Sequence, residues 1–195
     1  MHELLSRNIK QKISLSPQQE DLLKTFFIPK KIRKKQFLLQ EGEVCQYAAF
    51  VEKGLLRSYT IDKKGNEHIL QFAMEDWWIS DLFSFYSGEP SVYMIEAMED
   101  AELLLIKKDR YEDLLQAVPA MERYFRLLLQ NNLIATQRRL NDKLSLPAEE
   151  LYLKLVETCD SIPQRVPQHM IASFLGITRE TLSRIRKQLS SSSKK

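Results

Sequence analysis

The stretch from Gln168 to Lys187, QHMIASFLGITRETLSRIRK, leaves this chain few ways to fold around it. Met170, Ile171, Phe174 and Leu175 recur at helical spacing and give a short helix one apolar face. Ala172 is small where a second helix must cross. Gly176 follows the last apolar residue, where a chain leaving a helix commonly turns through positive φ. Ile177 then plugs the corner, and Thr178 is a good N-cap for the next helix. Leu182, Ile185 and Leu189 pack that second helix back on the first. The spacing predicts two short helices crossing at a glycine corner.

Such a pair turns Arg179, Glu180, Thr181, Ser183, Arg184 and Lys187 outward. Arg can pair bidentately with guanine, a carboxylate can accept from cytosine N4, and Ser, Thr and Lys can hold phosphates. An ordinary helical hairpin with a solvated basic face has the same periodicity. The string Arg179-Glu180-Thr181-Leu182-Ser183-Arg184 separates the two readings, because it resembles the recognition helix of the Crp/Fnr family of bacterial transcription regulators. The resemblance implies that Arg179, Glu180 and Arg184 read bases, with Ser183 a further candidate. Gln168, His169, Thr178, Thr181 and Lys187 complete the surface expected against double-stranded DNA.

Charge agrees with that reading once it is divided along the chain. From Gln164 onward seven Lys or Arg stand against the single acid Glu180, a local charge of +6 that leaves −3 for the rest of a chain whose total is +3. A basic end on a mildly acidic body is the footprint of a nucleic-acid-binding end. No run of 18 apolar residues and no secretory apolar run near the start are present, so neither a membrane partner nor export is expected and a cytoplasmic protein is. Cys45 and Cys159 lie far apart and outside any CxxC pair, which argues against a disulfide framework, a zinc site or an iron–sulfur cluster.

Upstream, residues 1 to about 28 read as helical, with Ser16-Pro17 starting a helix, Leu22, Leu23, Phe26 and Phe27 facing inward, and Pro29 ending it. The basic run from Lys30 to Lys35 alternates with Ile32 and Phe37, as a strand with a solvated face does. From Lys31 to about Lys108, β-rich runs are punctuated by Gly42, Gly54, Gly65 and Gly88-Glu89-Pro90, which implies a sandwich or barrel. The order FLLQEG, FVEKGLLRSY, DKKGNEHILQF resembles the double-stranded β-helix (jelly roll) of cyclic-nucleotide-binding domains. That family's cyclic-AMP binders carry Gly-Glu-Leu and then an Arg against the cyclic phosphate. Here Ser80-Asp81-Leu82 and Pro90-Ser91 stand instead, so cyclic nucleotide binding is disfavoured. Arg57, Phe72, Trp78, Asp81 and Ser91 are the candidate pocket for some other small-molecule effector, with plain core filling as the alternative for the aromatics. His68 has no second histidine at ligand spacing, so neither a metal site nor catalysis is expected, and no cofactor is implied.

From Pro119 to about Ser145 no Pro or Gly interrupts a helix of roughly 40 Å. Met121, Phe125, Leu128, Asn132 and Ala135 fall at alternating steps of four and three, a coiled-coil seam with one polar residue to fix register. Leu127, Leu133, Leu140 and Leu144 form a second stripe. One stripe can face the chain's own barrel and the other a partner subunit; the first is taken as the homodimer interface. Beyond Pro147, Ala148-Glu149-Glu150-Leu151-Tyr152 resembles the family's opening of the DNA-binding domain. Ile162 to Pro167 reads as an extended link, and Ser190 to Lys195 as a disordered tail where relatives continue into a β-hairpin wing.

The expectation is therefore an α+β chain: a jelly-roll sensor with an N-terminal helix over 1–118, a dimerisation helix over 119–145, and a helix-turn-helix domain over 146–195 without an evident wing. Double-stranded DNA, a second copy of the chain and RNA polymerase are the expected partners. The alternative is a ligand-binding or interaction module whose basic C-terminal helix docks on an acidic protein.

Overall fold

The computed structural model describes residues 2–192. Two helices, α1 (Glu3–Lys10) and α2 (Pro17–Lys24), precede six strands: β1 (Phe27–Ile32), β2 (Phe37–Leu39), β3 (Tyr47–Lys53), β4 (Leu56–Ile61), β5 (Glu67–Ala73) and β6 (Trp78–Ile79). A short α3 (Leu82–Ser87) leads to β7 (Met94–Ala97) and β8 (Ala101–Lys107), followed by α4 (Lys108–Ala117) and the long α5 (Ala120–Ser145). Four helices close the chain: α6 (Ala148–Thr158), α7 (Ile162–Arg165), α8 (Gln168–Leu175) and α9 (Arg179–Ser192). The chain divides into two compact units, one of residues 1–60 with 71–131 and one of residues 61–70 with 132–195. That division falls inside α5 and assigns the tip of the β4–β5 hairpin to the helical unit, unlike the sequence bounds at 118 and 145.

The first unit is a jelly roll of two antiparallel sheets, ordered β1-β8-β3-β6 and β2-β7-β4-β5. Its core gathers Phe50, Val51, Leu56, Ile79, Ile95, Leu103, Leu104 and Ile106, all essentially buried. Gly54 ends β3 at φ +98, and a Cβ there would lie 2.8 Å from both Ala101 Cβ and Asp100 O, so only glycine fits this turn. Ser16 and Gln19 form a reciprocal capping box at α2. Pro29 does not end a helix. It lies within β1, pairing Leu104 on the edge of its sheet, where a missing N–H leaves no ladder bond unmade.

A buried polar chain fixes α1 and the start of α5 on the barrel. Trp78 Nε1 donates to Tyr124 Oη (3.0 Å), Tyr124 Oη donates to Asn8 Oδ1 (2.8 Å), and Asn8 Nδ2 donates to Asp76 Oδ1 (2.9 Å). Glu52 accepts from the N–H groups of His2 and Leu5 at the start of α1. Met121 and Phe125 belong to this same core, at 0% and 8% exposure. This corrects the expected dimer seam: its first two members are consumed in the chain's own packing, Leu128 is half-buried against that core, and only Asn132 and Ala135 are exposed.

In the second unit the core is Leu151, Tyr152, Leu155, Ile162, Val166, Ile171, Ala172, Leu175, Leu182 and Ile185. The segment expected to be an extended link contains α7 instead. Pro163 sits in a first helical turn, where its missing N–H costs nothing, and Ser161 O accepts from Gln164 N and Arg165 N. Ser190 to Ser192 continue α9 as helix, with Ser190 and Ser191 hydroxyls donating to Lys187 O; the rest of the expected disordered tail lies outside the described residues.

Candidate nucleic-acid interface and sensor cassette

The helix pair is built by local rules. Gly176 takes φ +76 at the end of α8, and Ile177 N reaches back to Ala172 O (3.0 Å), closing the helix in the manner of a Schellman end. Thr178 Oγ1 accepts from Thr181 N (3.2 Å) and so caps α9. Leu182 and Ile185 are buried at 0% and 3%, which commits one face of α9 to packing. Thr178, Arg179, Glu180, Ser183, Arg184 and Lys187 are exposed on the remainder, and Thr181 is half-buried. On α8, His169 is exposed and Gln168 half-buried. Among the described residues no ion pair engages Arg179, Glu180, Arg184 or Lys187.

Phe174 stands out on α8 because it is only half-buried and carries two cations. Arg139 lies 5.1 Å and Lys143 5.6 Å from its ring centroid, a double cation–π contact. Arg139 Nη1 also donates to Leu70 O (2.6 Å). Burial lowers the pKa of Arg139, and burial together with the neighbouring Arg139 charge lowers that of Lys143.

Of the five expected effector-pocket residues, Trp78 and Arg57 hold contacts outside the set. Trp78 packs edge-on against Phe50 and Phe125, with ring centroids 5.5 and 5.7 Å away, and is held by Tyr124, so it belongs to the seam between barrel and α5. Arg57 alternates with Leu56, which faces the core, and therefore points to the other face of its sheet. There it pairs with Glu96 through Nε (3.0 Å) and Nη2 (2.6 Å) and stacks 4.0 Å from the Tyr59 ring centroid. Phe72 is buried at 4%.

Asp81 and Ser91 meet directly. Asp81 accepts from Ser84 N (3.2 Å) to cap α3, and from Ser91 Oγ (2.7 Å). Ser91 is further locked by Ser91 N to Glu43 O and Gly42 N to Ser91 O, both 2.8 Å. Sequence reasoning missed the neighbouring hydroxyl of Ser84, which accepts from Cys45 N and donates to Glu89 O. Its signal is weak, since a serine inside a six-residue helix is unremarkable by pattern. The cassette is a closed, internally satisfied polar network. Among the described residues no group of three or more His, Cys, Asp or Glu could hold a metal ion, and no helix is long and apolar enough to cross a membrane.

A jelly roll followed by a long helix and a helix-turn-helix defines a class of protein: a sensor-type domain joined to a nucleic-acid-binding one. Residues 29–118 match the family described as cyclic nucleotide-binding domain. The chain is 25% identical over 172 residues to the regulatory protein HlyX of Actinobacillus pleuropneumoniae, covering 80% of this chain and 69% of that one. It is 23% identical over 186 residues to the cAMP-activated global transcriptional regulator CRP of Escherichia coli O6:H1, covering 89% of each. Among solved structures it superposes on FixK2 from Bradyrhizobium japonicum with a TM-score of 0.71 at 21% identity, covering 86% of each chain. Residues 29–118 thus resemble a cyclic nucleotide-binding domain, and over most of its length the chain is similar to regulatory proteins and shares the fold of FixK2.

Proposed function

We propose that this chain acts in the cytoplasm as a homodimer that reads a near-palindromic stretch of double-stranded DNA with α9, and that it does not answer to cyclic AMP or cyclic GMP. The observation that carries the proposal is the outward face of α9, where Arg179, Glu180, Ser183 and Arg184 are exposed on a helix whose opposite face is packed. Those groups match the donor and acceptor pattern of the major groove. The partner surface is a stripe on α5 different from the expected seam. Leu129, Leu133, Leu140 and Leu144 are 40%, 60%, 59% and 81% exposed, and at about 100° per residue they fall within roughly 60° of one another on the helix. Leu127 lies on the other side. A two-fold axis along that stripe would set two copies of α9 about 34–36 Å apart, one helical turn of DNA. RNA polymerase is the partner such a regulator would meet at its site.

Selection of duplexes from a random-sequence pool tests the reading. Arg184→Ala should cost roughly 1–3 kcal/mol and relax preference at particular base pairs, whereas Lys187→Ala should weaken all sequences alike. Unchanged preference in the Arg184 variant removes it as a base reader. A wild-type protein that enriches no sequence, and instead binds an acidic protein surface, overturns the function itself.

A further inference from the structure

The tip of the β4–β5 hairpin is part of the same compact unit as the helix pair, and among the described residues it is the only β structure there. Its turn is tightly held. Asp62 Oδ1 accepts from Lys64 N (2.8 Å) and Asn66 N (2.9 Å), while Oδ2 accepts from Asn66 Nδ2 (3.0 Å) and stands 3.0 Å from His68 Nε2. One side chain anchors the tip to α8. Ser173 Oγ accepts from Ile69 N (3.0 Å) and donates to Glu67 O (2.7 Å), bridging the free edge of β5, the outermost strand of its sheet. Gly65, Asn66 and Glu67 from the tip and His169, Met170 and Ser173 from α8 line one open crevice of about 420 Å³.

Lys63 and Lys64 project from this tip, both exposed, and among the described residues no acid forms an ion pair with either. The acids of the tip are turned elsewhere: Asp62 is occupied by the turn, and Glu67 is half-buried. We infer that this hairpin serves as a wing for the DNA-binding unit, with Lys63 and Lys64 contacting backbone phosphates beside the surface formed by α8 and α9. The inference rests on the DNA-reading function proposed above. Its physical basis is pre-organisation. Two mobile surface lysines would lose freedom on binding a phosphate, but a turn stitched by Asp62 and riveted to α8 by Ser173 fixes their backbone in advance. DNA presents a phosphate every 3.4 Å or so along each strand, so adjacent lysines on a turn can meet one or two of them.

The test uses the full chain and the duplex that the wild-type protein selects from a random-sequence pool. Dissociation constants are measured by fluorescence anisotropy across a salt series for wild type, Lys63→Ala/Lys64→Ala, and a control, Lys30→Ala/Lys34→Ala, on the barrel. The hairpin variant should show a slope of log affinity against log salt that is shallower by about 1–2 per subunit, since each lost phosphate contact removes about 0.9. Affinity at moderate salt should fall about tenfold with base preference unchanged, and the control should keep the wild-type slope. In a Ser173→Ala background, where the rivet is gone, the lysine substitutions should matter less. An unchanged slope in the hairpin variant overturns the wing. Tighter DNA binding in Ser173→Ala alone also overturns it, because the hairpin would then be covering α8. A wild-type protein that selects no duplex overturns the DNA-reading function itself, a result separate from either of these.

Discussion

Leu140→Ala separates the two stripes of α5 as dimer surfaces. Leu140 is 59% exposed, and complete burial of a leucine side chain contributes roughly 1.5–3 kcal/mol, so covering what remains exposed is worth about 1–2 kcal/mol. A two-fold dimer carries the leucine twice, which makes the loss on truncation about 2–4 kcal/mol per dimer. At about 1.4 kcal/mol per decade, the dimer dissociation constant should weaken by roughly thirty- to several-hundred-fold. The folded chain should be little affected, because an exposed side chain supports no core. Met121→Ala should behave in the opposite way: at 0% exposure its truncation leaves a cavity costing about 2–5 kcal/mol of fold stability, with the dimer intact once the chain is folded. Sedimentation equilibrium over a dilution series, paired with thermal unfolding of each variant, reads both quantities. A Leu140→Ala protein that dimerises as wild type, beside a folded Met121→Ala protein that is monomeric, would refute the reasoning and restore the Met121 to Ala135 seam.

Three further outcomes concern the barrel and its hairpin. Ser91→Ala leaves a buried Asp81 oxygen without its 2.7 Å donor, which should cost roughly 1–3 kcal/mol and lower the thermal midpoint by several degrees. Calorimetric titration of wild type and of this variant with cyclic AMP or cyclic GMP should show no saturable heat, and micromolar saturation in the wild type would contradict the proposed indifference. Asp62 is held well below its ordinary pKa, chiefly by the Asn66 side-chain and backbone donors. Its contribution is therefore complete above about pH 4 and is lost as pH falls through the lowered value. Hydrogen-exchange protection of the 62–66 turn should fall in strong acid, and Asp62→Asn should lack that acid step; an identical acid profile in the variant would remove Asp62 as its cause.

What the sequence makes legible here follows the range of the interactions involved. The α8–α9 corner depends on contacts a few residues apart, so Gly176, Thr178, Leu182 and Ile185 disclose it by spacing alone. Strands of the roll show in their β-rich runs, but Pro29 looks like a helix stop until β1 is known to be an edge strand, where proline is tolerated. On α5 the two apolar stripes are both visible, yet which is buried depends on the shape of the barrel surface. Tyr124 and Trp78 decide it by packing the first stripe inward, a contact across 46 residues with no periodic signature. The bridge from Ser173 to Ile69 spans 104 residues and rests on one hydroxyl, which no local pattern could announce.

The closed cassette also bears on what kind of molecule could move this barrel. A cyclic phosphate brought near Asp81 would meet a carboxylate that, among the described residues, no ion pair neutralises. Two like charges about 4 Å apart repel by about 4 kcal/mol at the effective dielectric of a partly buried site, close to a thousandfold in affinity. Ser91 Oγ could turn toward the phosphate only by abandoning Asp81 and the Tyr93 N–H it accepts from. Arg57 on β4 is the candidate substitute, but its guanidinium is bound twice to Glu96 on the opposite face of β4 from Leu56. Pulling it through would strand a largely buried carboxylate, and breaking such a pair costs about 3–5 kcal/mol. An effector can shift a conformational equilibrium only by its difference in affinity for the two states, and these penalties fall on the ligand-bound one. The chemistry of Asp81 and Ser91 therefore stands against an anionic ligand at this cassette, in line with the proposed indifference to cyclic nucleotides.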